Sequence, residues 1–269
     1  MLKNYLTVAF RNLVRNKVSA FINIGGLAAG MTVALLIGLW VYDELSFDRS
    51  HKNHARIARV MQNQTFAGEI HTGSSQAMQL GPELRNNYGD NFKHVILTGW
   101  AGNKQATYGD KKISIKGNYM EPAVIEMLSL KMVKGNRAAL NDLNSVILSE
   151  STARAIFGNT DPMGQVFRID SRIDVKVTGI YKDIPHNSSF ANLGFIAPFA
   201  LWVKADNLEK RVTWGNNWFQ VLVQVTDNAD MDKVSATIRD AKAKKVSENQ
   251  GANAKPTLFL HPMDRWRLY

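Results

Sequence analysis

Residues 18–42 form an uncharged and largely apolar run near the start of the chain. A helix rises about 1.5 Å per residue, so about 20 such residues cross a hydrocarbon core of about 30 Å. A secretory signal peptide has an apolar region of only about 7–15 residues before its cleavage site. Here the small residues at 28–30 are followed by a further apolar run, "MTVALLIGLWVY". The sequence therefore predicts a transmembrane helix that is retained as an anchor.

The charges on either side of this run differ in sign. The basic residues before it are Lys3, Arg11, Arg15 and Lys17, and the acidic residues after it are Asp43, Glu44 and Asp48. Cytoplasmic flanks of membrane spans carry an excess of lysine and arginine. We therefore expect a cytoplasmic N-terminus, with residues 43–269 on the opposite side of the membrane.

Two features of the N-terminal part suggest contacts with another membrane helix and with the membrane surface. Gly26 and Gly30 form a small-xxx-small pair, which lets a second membrane helix approach closely, although glycines are also scattered in spans without such a role. In residues 1–17, apolar side chains recur at helical spacing, and Arg11 and Arg15 lie one turn apart on another face. This pattern favours an amphipathic helix in the cytoplasmic interface over a plain charged tail.

The outer region shows strand–helix–strand patterns at both of its ends. The first pattern comprises strands at 54–64 and 94–100 with a helix over 74–89, opened by serines. The second comprises strands at 218–225 and 256–262 with a helical stripe from Met231 to Ala241. Asp230 is a predicted N-cap of this helix, and Lys242, Lys244 and Lys245 suit the negative end of its dipole. Two such units can pair into one split βαβ sheet.

The residues between these units predict an insertion with its own small core. It contains a hairpin around Gly109, a strand at 145–149, a helix capped by Ser149 and ended by Gly158, and strands at 165–169 and 174–180. The predicted fold class is α+β.

Searches for catalytic or ligand-binding motifs find no candidate. The chain has no G-x-x-x-x-G-K-[ST] loop for nucleotide phosphates and no cysteine for disulfides or thiolate chemistry. His51 and His54 are three residues apart without a nearby third ligand, so a hydrated segment explains them better than a metal site. His186 lies close to Ser188 and Ser189, but closeness along the chain does not make a triad. The net charge of +10 is spread along the chain, which does not favour nucleic-acid binding.

Three stretches identify a family. "IKGNYMEPAVIEMLSLKMVKGN", "VILSESTARAIFGNTDPMGQVFRID" and "VKVTGIYKDIPHNSSF" resemble the periplasmic core domain of MacB/FtsX-type ABC transporter permeases. The positions that match the family pattern are Tyr119, Leu128, Gly135, Ala153, Phe157, Gly158, Asp161, Pro162, Gly164, Gly179, Asp183 and Pro185. These are turn and core residues, so they indicate a fold and an assembly rather than a reaction.

The resemblance implies a bacterial inner-membrane protein with a division into segments. Residues 1–17 would form a cytoplasmic elbow helix, 18–42 the first transmembrane helix, and 43–269 a periplasmic domain of two lobes. The first lobe, a porter-like split βαβ layer, would comprise about 43–110 and 214–269. The second, an inserted sabre-like mixed α/β lobe, would comprise about 111–213.

The resemblance also implies partners and a task. A cytoplasmic ABC ATPase would bind the ATP, so this chain needs no cofactor and is not expected to be an enzyme. A second permease copy would complete a dimer, and a periplasmic adaptor or other envelope protein could bind outside. The expected outputs are efflux, lipoprotein release or envelope remodelling.

One departure from the family leaves a second interpretation open. Family members have at least three further spans, whereas this sequence has one, so we expect a truncated product or a fragment of a permease. The alternative is a single-pass sensor or scaffold whose periplasmic domain binds a ligand or partner.

Overall fold

The computed structural model describes residues 2–246 and 254–267, in two compact units, Met1–Ser46 and Phe47–Tyr269. The strands are β1 (Ile57–Phe66), β2 (Glu69–Gly73), β3 (Phe92–Thr98), β4 (Gly102–Tyr108), β5 (Lys111–Met120), β6 (Met132–Lys134), β7 (Ser145–Ser149), β8 (Val166–Ile169), β9 (Ile173–Tyr181), β10 (Phe195–Pro198), β11 (Gln220–Val225) and β12 (Thr257–Pro262). The α-helices are α1 (Leu2–Arg15), α2 (Lys17–Leu45), α3 (Leu80–Tyr88), α4 (Val124–Met127), α5 (Glu150–Phe157), α6 (Phe199–Ala205) and α7 (Met231–Ile238).

The first unit consists of α1 and α2. Asn16 separates the helices, because its backbone angles (φ −110°, ψ 55°) are not helical. In the described part of the chain, α2 is the one helix long and apolar enough to cross a membrane, and none of its residues is buried. It continues past the predicted end at residue 42 and includes Asp43 and Glu44. The two predicted N-terminal helices are therefore present, while their placement in a membrane stays a prediction.

Four strands of the second unit form the split βαβ sheet that the sequence predicts. Their order is β12–β1–β11–β3, and each neighbouring pair is antiparallel. The side chains of the strands alternate between two faces, as the two-residue period of a strand requires. Ala58 and Val60 of β1 face α3 and α7, where they pack in one core with Leu84 and Ile238.

Six further strands close into a ring. Going around it, β4 pairs with β5, β5 with β10, β10 with β7, β7 with β9, β9 with β8, and β8 again with β4. The interior is filled by apolar side chains that include Phe167, Val175 and Phe195, and α5 packs on the same core. The ring strands begin at Gly102, ahead of the lobe boundary predicted near residue 111.

A third core joins the sheet and the ring. It contains Ile57 and Leu222 from the sheet face opposite the helices, together with Ile147, Tyr181 and Ile196 from the ring. Because these side chains are buried together, the strands of residues 47–269 belong to one compact unit.

Helix termini follow the sequence predictions in two cases. The Ser149 side chain accepts a hydrogen bond from the Thr152 N–H at the start of α5, and Gly158 ends this helix with φ +62°. The Asp230 carboxylate accepts hydrogen bonds from the Asp232 and Lys233 N–H groups at the start of α7.

One prediction about a helix start is wrong, and one lysine beyond a helix end is more buried than its neighbours. Serines do not open α3, which begins at Leu80 after Gln79 without a side-chain cap. Lys242, which follows α7 and was predicted to suit the negative end of its dipole, is buried and donates to Gln62 Oε1 at 2.6 Å and Asn217 Oδ1 at 2.5 Å. Its burial lowers the pKa of its amine from the ordinary 10.5 to about 8.

Candidate functional site

The chain between α2 and β1 includes Phe47–Arg56, which we call the anchor segment. It contains turns and a short 3-10 helix. Although it has little regular structure, its polar groups are bound to several separate parts of the second unit. These attachments make it the candidate functional site.

Asp48 provides the most deeply buried attachment. Its relative exposure is 0%, and its backbone lies in the left-handed region with φ +61°. The Asp48 N–H donates to the Asn187 carbonyl at 2.8 Å. The carboxylate accepts hydrogen bonds from Ser188 Oγ at 2.9 Å, from the Ser189 N–H at 2.7 Å and from Ser189 Oγ at 2.7 Å. A buried carboxylate is tolerated only with such donors, so Asp48 ties the anchor segment to residues 187–189.

His51 provides a second buried attachment. Its Nδ1 lies 2.8 Å from the Leu128 carbonyl, which can only accept, so Nδ1 carries a proton. Its Nε2 lies 2.9 Å from Ser188 Oγ. Burial lowers the pKa of the imidazole below 6.5, while the Leu128 carbonyl and Asp48 act in the opposite direction. His51 is therefore neutral at neutral pH, and its ring packs edge-on against Phe190 at 5.7 Å between centroids.

The order of these three side chains differs from that of a catalytic triad. Ser188 lies between His51 and Asp48, whereas catalysis requires the histidine between the serine and the carboxylate. The single proton of the Ser188 hydroxyl has two nearby acceptors, Nε2 of neutral His51 and Oδ1 of Asp48. Ser188 is also buried, with 4% relative exposure. The arrangement suits a structural tie better than an attack on a substrate.

Three more residues of the anchor segment are attached elsewhere. The Asn53 side-chain amide donates to the Met127 carbonyl at 3.1 Å, next to the Leu128 carbonyl that binds His51. His54 Nδ1 lies 2.6 Å from Asp264 Oδ1 after β12, and Arg56 forms an ion pair with Asp227 after β11. The last two pairs are exposed, so each contributes at most about 1 kcal/mol.

The chain after β12 returns to the same region of the unit. Trp266 stacks under the Arg59 guanidinium at 4.4 Å and contacts Phe190 at 6.1 Å between centroids. The Trp266 indole N–H donates to the His261 carbonyl at 2.9 Å, and the Arg267 guanidinium lies 5.0 Å from the centre of the Phe47 ring. The entry and exit segments of the second unit are thus packed together.

The site residues predicted from sequence lie in the first unit. Gly26 and Gly30 are on α2, and no atom beyond the local helix backbone lies within 4 Å of where their Cβ atoms would be. Arg11 and Arg15 are exposed on α1. The structure leaves room for a helix at the glycines, and the roles of all four residues stay predictions.

The residues of the buried attachments were missed as a site. The interpretation of His51 as part of a hydrated segment is wrong, because its relative exposure is 3%. His51 and Ser188 are 137 positions apart in the chain, so no local sequence pattern predicts their contact. Among the described residues, no group of three histidine, cysteine or acidic side chains could hold a metal ion.

Comparison with a family model identifies the family of most of the chain. Residues 20–241 match the model of the MacB-like periplasmic core domain. The chain belongs to this family. The chain therefore contains a MacB-like periplasmic domain of the kind found in ABC-transporter-type permeases, which work with an ATPase and are membrane-associated. A search of curated proteins finds no match.

Three solved structures share the fold. A domain of a permease protein from Porphyromonas gingivalis is 22% identical, with a TM-score of 0.67 over 79% of this chain and 91% of that one. The periplasmic region of MacB from Actinobacillus actinomycetemcomitans is 15% identical, with a TM-score of 0.55 over 82% and 94%. The extracellular domain of the noncanonic ABC-type transporter YknZ from Gram-positive bacteria is 18% identical, with a TM-score of 0.53 over 76% and 99%.

Proposed function

We propose that this chain is the N-terminal part of an ABC transporter permease subunit that couples ATP hydrolysis to conformational change in the periplasm. In this proposal α2 is the first transmembrane helix, the N-terminus is cytoplasmic and residues 43–269 are periplasmic. A cytoplasmic ATPase binds the ATP, and this chain performs no catalysis and holds no cofactor. Membership of the MacB-like family and the apolar α2 support this proposal.

The observation that carries the mechanical role is the binding of the anchor segment. Only Ser46 separates the end of α2 from Phe47, and Asp48 and His51 follow within one short stretch. Their buried hydrogen bonds reach residues 187–189 and Leu128. A displacement applied to Phe47 is therefore passed to both of these loops, because no flexible linker lies between to absorb it.

The other residues that the sequence singled out have roles in the same proposal. Gly26 and Gly30 let a neighbouring membrane helix approach α2 closely. Arg11 and Arg15 face anionic headgroups or acidic groups of the ATPase. A second permease copy completes the membrane assembly, and a periplasmic adaptor or other envelope protein receives the motion.

The decisive experiment inserts a flexible linker between α2 and the anchor segment. Ten Gly/Ser residues are inserted between Ser46 and Phe47 of the full-length permease, which adds a chain with a typical end-to-end distance of roughly 17 Å. We expect ATP turnover to continue while the physiological output is lost. ATP turnover and output are measured on the same preparation or strain.

A matched control places the same insertion between Ala67 and Gly68, at the exposed turn between β1 and β2. This variant should keep both ATP turnover and output, because the anchor segment is unchanged. Full physiological output in the variant with the linker after Ser46 would contradict mechanical coupling. It would favour the alternative of a sensor or scaffold, whose periplasmic domain needs no stiff connection to α2.

A further inference from the structure

One edge of β5 is only partly covered. β4 pairs with β5 along one edge from Lys111 to Gly117, and β10 covers the opposite edge from Gly117 to Met120. The Lys116 carbonyl still accepts a hydrogen bond from the Gly194 N–H on the β10 side. Since successive residues of a strand direct their N–H and C=O groups to opposite edges, those of Ser114 and Lys112 also point to the β10 side. There, no backbone hydrogen bond within the described residues reaches them.

This open edge forms one wall of a groove of about 550 Å³. The start of α5 and the chain at 192–194 line the rest of the groove, and Gly194 lies against both Thr152 of α5 and Lys116 of β5. The lining residues are Ile113, Ser114, Ile115, Lys116, Ser149, Ser151, Thr152, Ala155, Asp183, Ile184, Asn192, Leu193 and Gly194. A strand edge opposite a helix, with space between them, is the geometry that accepts an added strand.

The two sides of the open edge differ in chemistry. Ile113 and Ile115 pack with the core of the ring, and Ile184 and Leu193 lie beside them in the groove. On the other side of β5, Lys112 and Lys116 are exposed. Asp183 is the carboxylate among the lining residues, and it accepts hydrogen bonds from Ser151 Oγ at 2.6 Å and the Ser151 N–H at 3.3 Å. Lys116 lines the groove and Lys112 lies further along the same face of β5, so exposed positive charge accompanies the open edge.

We propose that this groove binds an extended segment of a partner protein, which adds to β5 as a new strand. The segment has acidic residues at alternate positions, facing Lys112 and Lys116, and apolar residues between them, facing Ile113, Ile184 and Leu193. Its backbone pairs with the outward N–H and C=O groups of Ser114 and Lys112. Opposite charges on neighbouring strands stabilise such a pair, which fixes the chemistry of the segment. This proposal does not depend on the transport role.

The test uses a fluorescent peptide, acetylated and amidated, with the repeating sequence Glu-Val-Glu-Val-Glu. Its anisotropy is measured against the detergent-solubilised chain. Proline at position 114 removes the outward N–H and places its ring in the groove, whereas the bonds from β5 to β4 come from the neighbouring residues. We expect Ser114→Pro to weaken binding at least about tenfold, and Ser114→Ala to leave it within about twofold, because alanine keeps the backbone donor.

A charge reversal gives an independent readout. The double variant Lys112→Glu, Lys116→Glu should bind the acidic peptide at least about tenfold more weakly and bind Lys-Val-Lys-Val-Lys more tightly than the wild-type chain does. Circular dichroism of each variant checks that the second unit is folded. If Ser114→Pro does not fold, the charge-reversal variant alone tests the proposal. Absence of saturable binding to the wild-type chain, or equal affinities in all variants, overturns the proposal. Concentration-dependent self-association that Ser114→Pro abolishes would assign the edge to a second copy instead, and would overturn the proposed occupant.

Discussion

Replacing Asp48 by alanine removes the central acceptor of the anchor segment. Three donors lose their partner: the Ser188 hydroxyl, the Ser189 N–H and the Ser189 hydroxyl. Alanine also keeps the strained backbone, because position 48 has φ +61° and a Cβ atom is unfavourable there.

The size of the effect follows from what these donors can do afterwards. A hydrogen bond to a charged group contributes about 1.5–3 kcal/mol. The Ser188 hydroxyl can turn to His51 Nε2, and Ser189 is exposed enough to bind water. Full loss of all three bonds is therefore not expected. We expect Asp48→Ala to lower the free energy of unfolding by about 2–4 kcal/mol.

The measurement is urea denaturation of the detergent-solubilised chain, followed by tryptophan fluorescence. Trp266 reports on the region directly, because it contacts Phe190 next to residues 187–189. Asp110→Ala is the matched control, since Asp110 is exposed in the turn between β4 and β5 and should change stability by less than about 0.5 kcal/mol. If Asp48→Ala unfolds at the same urea concentration as this control, the anchor segment is not held as we argue.

Two further predictions concern stability. Burial lowers the pKa of His51, so protonation of this residue favours the unfolded chain. The contribution of neutral His51 to the free energy of unfolding is therefore fully present above the ordinary pKa of 6.5, and it is lost as the pH falls below that value. Between about pH 7.5 and pH 5, the urea midpoint of the wild type should therefore fall more than that of His51→Asn. The control His71→Asn, at an exposed position, should show the same fall as the wild type. An equal fall of the midpoint in all three proteins would refute this prediction. In the second prediction, Gly117→Ala lowers the free energy of unfolding by about 1–3 kcal/mol, because a Cβ there would overlap the Phe195 ring. Thermal unfolding measures this loss, with Gly102→Ala on the paired strand as a control that has open space; similar midpoints for the two variants would count against the packing argument.

The fold was largely predictable because its signals are local. The alternation of Val221, Val223 and Val225 marks a strand, and the caps at Ser149 and Asp230 mark helix starts within a few residues. Gly81 shows the limit of this reasoning. Glycine followed by proline usually marks a turn, yet Gly81 lies inside α3, where its missing side chain lets the helix approach Leu97. The conformation of Gly81 is therefore determined by contact with a distant strand and not by its local preference.

The candidate site was not predictable in the same way. Asp48 and His51 stand in a polar stretch directly after an apolar helix, which indicates exposure to water. Their buried partners Ser188 and Leu128 belong to loops far along the chain. A polar side chain is stable inside a protein only when partners satisfy its hydrogen bonds, and sequence spacing does not reveal those partners.

By itself, the sequence determined the long apolar helix, the strand–helix–strand units at both ends of the second unit, and the resemblance to MacB/FtsX-type permeases. These depend on hydrophobic period, turn residues and chain order, which are properties of neighbouring residues. Only the tertiary structure decided that β4, β5, β7, β8, β9 and β10 close into a ring, that Lys242 is buried, and that Phe47–Arg56 is bound on several sides. Each of these depends on pairing between residues far apart in the chain, where the hydrogen-bonding partner determines whether a polar group can be buried.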